Sequence, residues 1–218
     1  MDLILDIFRI FQKGGLLMYP LLILGIVGVA IIIERFLTLS VSKLFPERLL
    51  ESILLHLKRG EIDEALKVAR REDTLSTRLV VFLIEAFLKG RSSEENLKLA
   101  AEEIASVEIP KMEGLVNAIG AISSIAPILG FLGTVTGMIQ VFEALSLTGL
   151  SHPEILSKGI SQALLTTAFG LTIAIPSLAA YWYFKSKISY IISEMEALAI
   201  EVINLLLETS RERGEDEL

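Results

Sequence analysis

The sequence predicts an all-α integral membrane protein with three transmembrane helices, the second and third extended into the cytoplasm, and a small helical cytoplasmic domain. Two observations carry this prediction. Three stretches, 14–33, 114–142 and 159–184, contain no Asp, Glu, Lys, Arg or His, and each reaches the roughly 20 apolar residues that cross a bilayer core as a helix. With 52% hydrophobic residues and a mean hydropathy of +0.61, the chain is also too apolar for an ordinary soluble domain.

The chain begins with a short segment, residues 1–13, whose apolar side chains recur at helical spacing and predict an N-terminal amphipathic helix. The first span follows at 14–33. It lacks a small-residue cleavage site and ends in Glu34-Arg35, so we interpret it as an uncleaved transmembrane helix rather than a signal peptide. Glu34 and Arg35 form a boundary pair, which either snorkels at the membrane surface or clamps two helices together.

The polar segment 34–113 predicts a helical domain between the first two spans. Proline, serine and glycine residues divide it into four helical stretches. These are a stretch opened by Pro46 and closed by Gly60, one from Glu61 to Arg71, one from Leu75 to Lys89, and one capped by Ser92 or Ser93 that runs to Val107. Pro110 predicts a bend before the second span, which occupies 114–142.

The distribution of Lys and Arg predicts the orientation of the chain. Residues 38–113 hold 12 of the 20 Lys and Arg residues, whereas the loop 143–158 between the second and third spans holds only Lys158. Cytoplasmic segments carry the excess of positive charge. The rule therefore predicts that 34–113 and the C-terminal helix and tail, 185–218, are cytoplasmic, and that the loop and the N-terminus lie outside.

Small residues form one face on each of the last two spans. On the second span this face consists of Ala126, Gly130, Gly133 and Gly137, and on the third of Ala163, Thr167, Gly170, Ala174 and Ser177. Such faces let helix backbones approach closely, so they predict packing of the two helices against each other or against a neighbouring subunit. Pro127 and Pro176 lie inside the same spans, where they either shape a funnel or only fix the packing.

Hydroxyl and amide side chains are the candidate functional groups of the spans, because no Asp, Glu, Lys, Arg or His is present there. Thr134 borders the small-residue face of the second span, and Gln162, Thr166 and Thr167 lie in the third. A membrane threonine often bonds to its own backbone one turn earlier, which is the structural explanation. The functional alternative is that these hydroxyls contact a carboxylate, which a partner must then supply.

The composition excludes several functional classes. A net charge of -7 does not suit nucleic-acid binding, and the absence of cysteine removes thiolate nucleophiles and thiolate metal sites. No cofactor is predicted. An intramembrane hydrolase needs a base or paired carboxylates beside its nucleophile, and no span contains them, so the sequence predicts a protein that is not an enzyme.

Two motifs resemble a known family. The run SIAPILGFLGTVTGMI at 124–139 resembles the second-span signature of the ExbB/TolQ/MotA proton-channel proteins. The run GISQALLTTAFGL at 159–171, followed by Ala174-Ile175-Pro176, resembles their third span, and Glu34-Arg35 matches the charged pair after the first. Three spans rather than four are typical of the ExbB/TolQ branch.

The resemblance implies a pentameric homo-oligomer in the bacterial inner membrane around ExbD/TolR-type single-span partners, each with a protonatable aspartate. Such complexes use the proton-motive force for work on the cell envelope and for biopolymer transport, with a TonB/TolA-like energy transducer. Carried over to this sequence, Thr134 and Thr167 line the inner path and contact the partner's aspartate. Gln162 stands where well-known members carry a glutamate, and an amide does not titrate. The alternative is a scaffold that holds partner helices and conducts nothing.

Overall fold

The computed structural model describes residues 14–148 and 153–215, so the predicted N-terminal amphipathic helix at 1–13 lies outside the described residues. Within these ranges every regular element is a helix, which confirms the all-α prediction. The helices are α1 (Met18–Thr38), α2 (Val41–Leu44), α3 (Glu47–Lys58), α4 (Ile62–Ala69), α5 (Leu75–Leu88), α6 (Glu94–Thr148) and α7 (Pro153–Glu215).

Three of these helices are long and apolar enough to cross a membrane, as predicted: α1, α6 and α7. Each extends beyond the uncharged stretch that revealed it. Helix α1 begins at Met18 rather than at residue 14, because Gly14 and Gly15 form a turn in which Gly15 has a φ of 75°. It then continues past the boundary pair to Thr38.

The structure differs from the sequence prediction at two connections. Helix α6 runs without interruption from Glu94 to Thr148, so Pro110, which was expected to mark a bend after a helical stretch ending at Val107, lies inside a continuous helix. Proline removes one backbone hydrogen bond, and here Pro110 and the residue one turn earlier, Ser106, are both exposed, so that solvent can bind the freed carbonyl. The segment 143–158, predicted as a loop, is helical at 143–148 and 153–158.

The chain divides into two compact units. Of the described residues, the first unit takes in those up to Arg35 and those of Leu115–Tyr183, and so holds nearly all of the three uncharged stretches. Its core is a cluster of buried side chains, Met18 and Leu21 of α1 with Ala126 of α6 and Ala174 of α7. Because one small residue from each of α6 and α7 faces the larger side chains of α1, the three helices pack in direct contact.

The second unit, Phe36–Gly114 with Phe184–Leu218, is built from α2–α5 and the remaining parts of α6 and α7. Residues with clear local preferences begin and end its short helices. Pro46 directly precedes α3, Thr74 forms a capping box at the start of α5, and Gly60 adopts a left-handed φ of 72° after α3. A buried carboxylate, Glu108, forms ion pairs with Arg78 and Lys111.

Candidate functional site

Helices α6 and α7 meet through their backbones along one face. A methyl group at Gly130 would lie 2.9 Å from the carbonyl oxygen of Thr166, and one at Gly170 would lie 2.6 Å from that of Ala126. Both distances are shorter than ordinary van der Waals contact, so the helices reach this separation only because these residues lack a Cβ. We call this contact the glycine seam. It comprises Ala126, Gly130, Gly133 and Gly137 of α6 and Gly159, Ala163, Thr166, Thr167, Gly170 and Ala174 of α7.

Thr167 joins the two helices by a hydrogen bond across the seam. Its Oγ1 donates to the backbone carbonyl of Gly130 at 3.0 Å. Thr134 lies one turn beyond Gly130 on α6, and its own Oγ1 donates to the carbonyl of Phe131 at 2.6 Å. Both hydroxyl protons are therefore used by backbone carbonyls. Each oxygen can still accept a hydrogen bond, because a hydroxyl has one proton but two lone pairs.

Thr166 occupies the centre of the seam and is almost fully buried, at 1% exposure. Its Oγ1 donates to the carbonyl oxygen of Ala163 at 2.9 Å. A methyl group at Gly133 would lie 2.5 Å from the Cβ of Thr166, so Gly133 provides the space into which this side chain fits. The structure thus places Thr166 as a packing residue whose hydroxyl is bonded within its own helix.

Gln162 contacts the turn that leads into α1 rather than the inner side of the seam. A methyl group at Gly15 would overlap the Gln162 amide nitrogen and would lie 3.0 Å from its Cδ. Farther along α7, Ile173 and Ser177 lie next to Gly25 and Gly28 of α1. Residues 162, 173 and 177 of α7 follow one helical face, which is the face that α1 covers.

The four predicted pathway residues therefore divide into two pairs. Successive residues of an α-helix are turned by about 100° around its axis, so Thr167 points away from the side on which Gln162 meets α1. Thr134 and Thr167 adjoin the same carbonyl-lined part of the seam and are both partly exposed, whereas Thr166 is buried. The structure brings Thr134 and Thr167 together and separates Gln162 from them.

The two prolines lie inside continuous helices. Pro127 is partly buried in α6, one residue after the seam begins at Ala126, and Pro176 is exposed in α7. Neither proline ends its helix. The Ser177 hydroxyl, which follows Pro176, donates to the carbonyl of Ile173 at 2.8 Å and so adds a bond where the helix is weakened.

The two residues of the boundary pair, Glu34 and Arg35, bond to each other. In the last turns of α1 the Arg35 guanidinium donates to both carboxylate oxygens of Glu34, at 2.5 Å from Nε and 2.8 Å from Nη2. Such a two-point contact fixes the geometry of both side chains. A cation near the C-terminus of a helix also interacts favourably with the helix dipole, which suits Arg35 at this position.

Charge is absent from the seam. The uncharged stretches 114–142 and 159–184 contain all of its residues. In the part of the chain that the structure describes, no three His, Asp or Glu side chains are grouped as a metal site would require. The seam can offer hydrogen-bond acceptors and close helix contacts, but it cannot itself take up a proton.

Sequence reasoning missed two contributors to this arrangement. Gly159 faces Gly137 across the seam, where a methyl group would lie 3.3 Å from the Gly137 carbonyl oxygen. Its position one turn before Ala163 was a usable signal, because it extends the same four-residue spacing. Gly15 is the second contributor, and nothing in its local sequence indicates that it meets Gln162.

Comparison with known proteins places the seam within a family. The model of the MotA/TolQ/ExbB proton channel family matches residues 61–197, which include both span motifs. The putative biopolymer transport protein ExbB-like 3 of Synechocystis sp. is 31% identical over 177 residues, covering 80% of this chain and 83% of the relative. A putative biopolymer transport protein ExbB homolog of Methanothermobacter thermautotrophicus is 26% identical over 193 residues, covering 88% and 67%. The Tol-Pal system protein TolQ of Haemophilus influenzae is 35% identical over 97 residues, covering 44% and 40%.

Proposed function

Because this chain belongs to the MotA/TolQ/ExbB proton channel family, we propose that it is the proton-channel and motor subunit of an inner-membrane complex of the ExbB–ExbD or TolQ–TolR type. In this complex the proton-motive force drives work on the cell envelope and biopolymer transport. The observation that carries the proposal is the placement of Thr134 and Thr167 on one side of the glycine seam, where their hydroxyl oxygens can accept hydrogen bonds.

A partner must carry the proton. The spans 114–142 and 159–184 have no Asp, Glu, Lys, Arg or His, so a proton cannot be stored on a carboxylate or an imidazole of α6 or α7 at the level of the seam. An ExbD/TolR-like single-span partner with a protonatable aspartate supplies the missing group. An ionised aspartate at the centre of a bilayer costs roughly 2.5–3.5 kcal/mol or more, which makes its protonation state decisive for movement through the membrane.

The hydroxyl arrangement favours the protonated acid. A neutral carboxyl group donates one O–H, whereas a carboxylate only accepts hydrogen bonds. Thr134 and Thr167 already donate their protons to the carbonyls of Phe131 and Gly130, so they face the partner as acceptors. The neutral aspartate can therefore bond to them, and the ionised form finds no donor there. Movement of the partner past the seam is in this way coupled to proton uptake.

A ring of subunits around the partner is consistent with the exposed surface of the spans. Large apolar side chains, among them Phe131, Leu164 and Ile175, are about two thirds exposed in the single chain. Lipid and neighbouring copies of the chain can cover such surfaces. We propose a pentamer around two partner copies, with the N-terminus in the periplasm, the C-terminus in the cytoplasm and a TonB/TolA-like protein as energy transducer.

Gln162 lies outside this path. Its amide cannot titrate, and its contact with Gly15 is on the side of α7 that α1 covers. Transfer in this protein therefore depends on the partner's aspartate without a relay at position 162.

The proposal is tested by proton flux into liposomes that contain the complex of this chain with its single-span partner. Thr134→Val and Thr167→Val keep the side-chain volume and remove the acceptor. Each should lower partner-dependent flux about tenfold or more, which corresponds to a hydrogen bond of about 1.4 kcal/mol. Thr172→Val is the matched control, because the Thr172 hydroxyl lies on an exposed part of α7 and donates to the carbonyl of Ala168.

Two results would contradict the proposal. Undiminished flux in both valine variants would remove the role of the hydroxyls, and equal flux without the partner would show that the spans conduct without a carboxylate. Replacement of the partner's aspartate by asparagine should abolish flux while the complex still assembles.

The second candidate function is a non-conducting scaffold that holds partner helices. It is favoured by the same hydrogen bonds, since the bond from Thr167 to Gly130 also serves to fix two helices together. A scaffold predicts that the assembled complex conducts nothing and that Thr167→Val weakens assembly alone. Neither candidate function involves enzymatic activity.

A further inference from the structure

The contact between Gln162 and the turn before α1 has no part in the function proposed above. Gly15 adopts a left-handed φ of 75°, and its carbonyl accepts a hydrogen bond from the amide of Met18 at 3.2 Å, so the turn leads directly into the helix. The Gln162 side chain lies against the Cα of Gly15 so closely that no Cβ fits between them. The Gln162 side chain thus contacts Gly15 at a position where any residue larger than glycine would displace it.

Helix α1 covers the back of the glycine seam below this contact. Met18 and Leu21 are fully buried against Ala126 and Ala174. A methyl group placed on Gly25 would lie 3.4 Å from the Ile173 side chain, so the two helices are in contact there as well. These contacts are apolar and exclude water. Among the described residues the N-terminal contact of this series is at the turn of Gly14 and Gly15, where the Gln162 side chain of α7 meets Gly15.

Polar groups lie directly behind this cover. The Thr166 hydroxyl is 1% exposed and lies within hydrogen-bond distance of the carbonyl oxygens of Ala163 and Gln162, at 2.9 and 3.3 Å. Water that reached them would find a hydroxyl and two carbonyls in a row on the side of the seam away from Thr134. Water admitted at this point would give protons a route that does not pass the partner's aspartate.

We propose that Gln162 is a positioning residue that anchors the turn leading into α1 on α7 and thereby seals the back of the glycine seam against proton leak. The inference rests on the proposed channel function for its consequence, the leak. The anchoring of α1 is inferred independently of that function, from the contact between Gln162 and Gly15.

The anchoring is measured by the accessibility of Met18. The chain has no cysteine, so Met18→Cys introduces a unique thiol at a fully buried position. A membrane-impermeant maleimide should label it slowly when Gln162 is present and about tenfold faster in Gln162→Ala, which corresponds to a loss of about 1.4 kcal/mol in the closed state. Ser161→Ala is the matched control, because Ser161 is the adjacent residue on α7 and is exposed.

The seal is measured by flux. Gln162→Ala in liposomes without the partner should admit protons faster than Ser161→Ala. Gly15→Ala should leak at least as fast, since its methyl group displaces the amide and an alanine is strained at a φ of 75°.

Three outcomes would overturn the inference. The first is that Gln162→Ala leaves the labelling of Met18→Cys unchanged. The second is that Gln162→Ala leaks protons no faster than Ser161→Ala. The third is that Gln162→Ala loses partner-dependent flux while the labelling stays unchanged, which would make Gln162 a pathway residue. The proposed function is judged separately by Thr134→Val and Thr167→Val. Its failure would leave the labelling result intact as a measure of how α1 is held.

Discussion

Replacing Gly170 by alanine tests whether the glycine seam holds Thr167 against α6. The new methyl group would lie 2.6 Å from the carbonyl oxygen of Ala126 and 3.1 Å from the Cα of Gly130. Both neighbours are backbone atoms and cannot rotate away. Ordinary contact begins at 3.4 Å, so the helices must separate by about 0.8 Å at this point. The same shift would lengthen the 3.0 Å bond from Thr167 to Gly130 to about 3.8 Å, which is no longer a hydrogen bond.

The expected loss in the free energy of unfolding follows from these two effects. Overpacking of this kind costs about 1–3 kcal/mol, and an interhelical hydrogen bond in a membrane protein contributes about 0.6 kcal/mol on average. Alanine offsets up to about 1 kcal/mol through its better helix propensity. We therefore expect Gly170→Ala to destabilise the protein by about 2 kcal/mol, or roughly 30-fold in the unfolding equilibrium.

Reversible unfolding in mixed detergent micelles measures this value. The fluorescence of Trp182, the single tryptophan of the chain, reports the transition. Gly114→Ala is the matched control: it lies in the same pair of long helices, and its methyl group would have no neighbour within 4 Å. Its stability should be unchanged or higher. Equal stability of Gly170→Ala and Gly114→Ala would refute the argument that the seam requires glycine.

Three further predictions concern the second unit, each measured by thermal unfolding of the purified protein. Thr74→Ala removes the capping box of α5 and should cost about 1 kcal/mol, and an unchanged Tm would contradict it. Glu108→Gln breaks the ion pairs with Arg78 and Lys111, whose side chains are 42% and 58% exposed, so we expect a loss of only about 1–2 kcal/mol. A larger loss would show that these two cations cannot reach water. The hydrogen bond from Arg70 holds the pKa of Glu85 below its ordinary value. This bond therefore adds stability above the unfolded-state pKa and loses it as the pH falls through the folded-state pKa, so the Tm difference between wild type and Glu85→Gln should shrink on acidification rather than stay constant.

The spans could be predicted because the bilayer imposes a length and a polarity on any helix that crosses it. Stretches of at least 20 residues without a charge leave few alternatives, and α1, α6 and α7 contain them. Their ends were less predictable. Pro110 reads as a helix boundary from local propensity, but α6 continues through it because only one backbone bond is lost at an exposed position.

The small-residue spacing likewise predicted which residues can form a close helix contact. The four- and three-residue intervals from Ala126 to Gly137 describe a single face of α6, whatever partner helix it meets. They do not identify that partner. The structure shows that it is the corresponding face of α7, with Gly170 lying against the Ala126 carbonyl.

The sequence by itself determined that this protein has three helices able to cross a membrane, with uncharged stretches that carry hydroxyls, and its motifs determined the family. Only the tertiary structure decided how the polar residues of α7 are divided. Gln162 and Thr167 are five residues apart on one helix, and both are polar residues in an apolar span. They differ in role because α1 covers the first and Gly130 of α6 accepts a hydrogen bond from the second. The position of α1 depends on its packing against both other helices, a long-range property that no local pattern in α7 encodes.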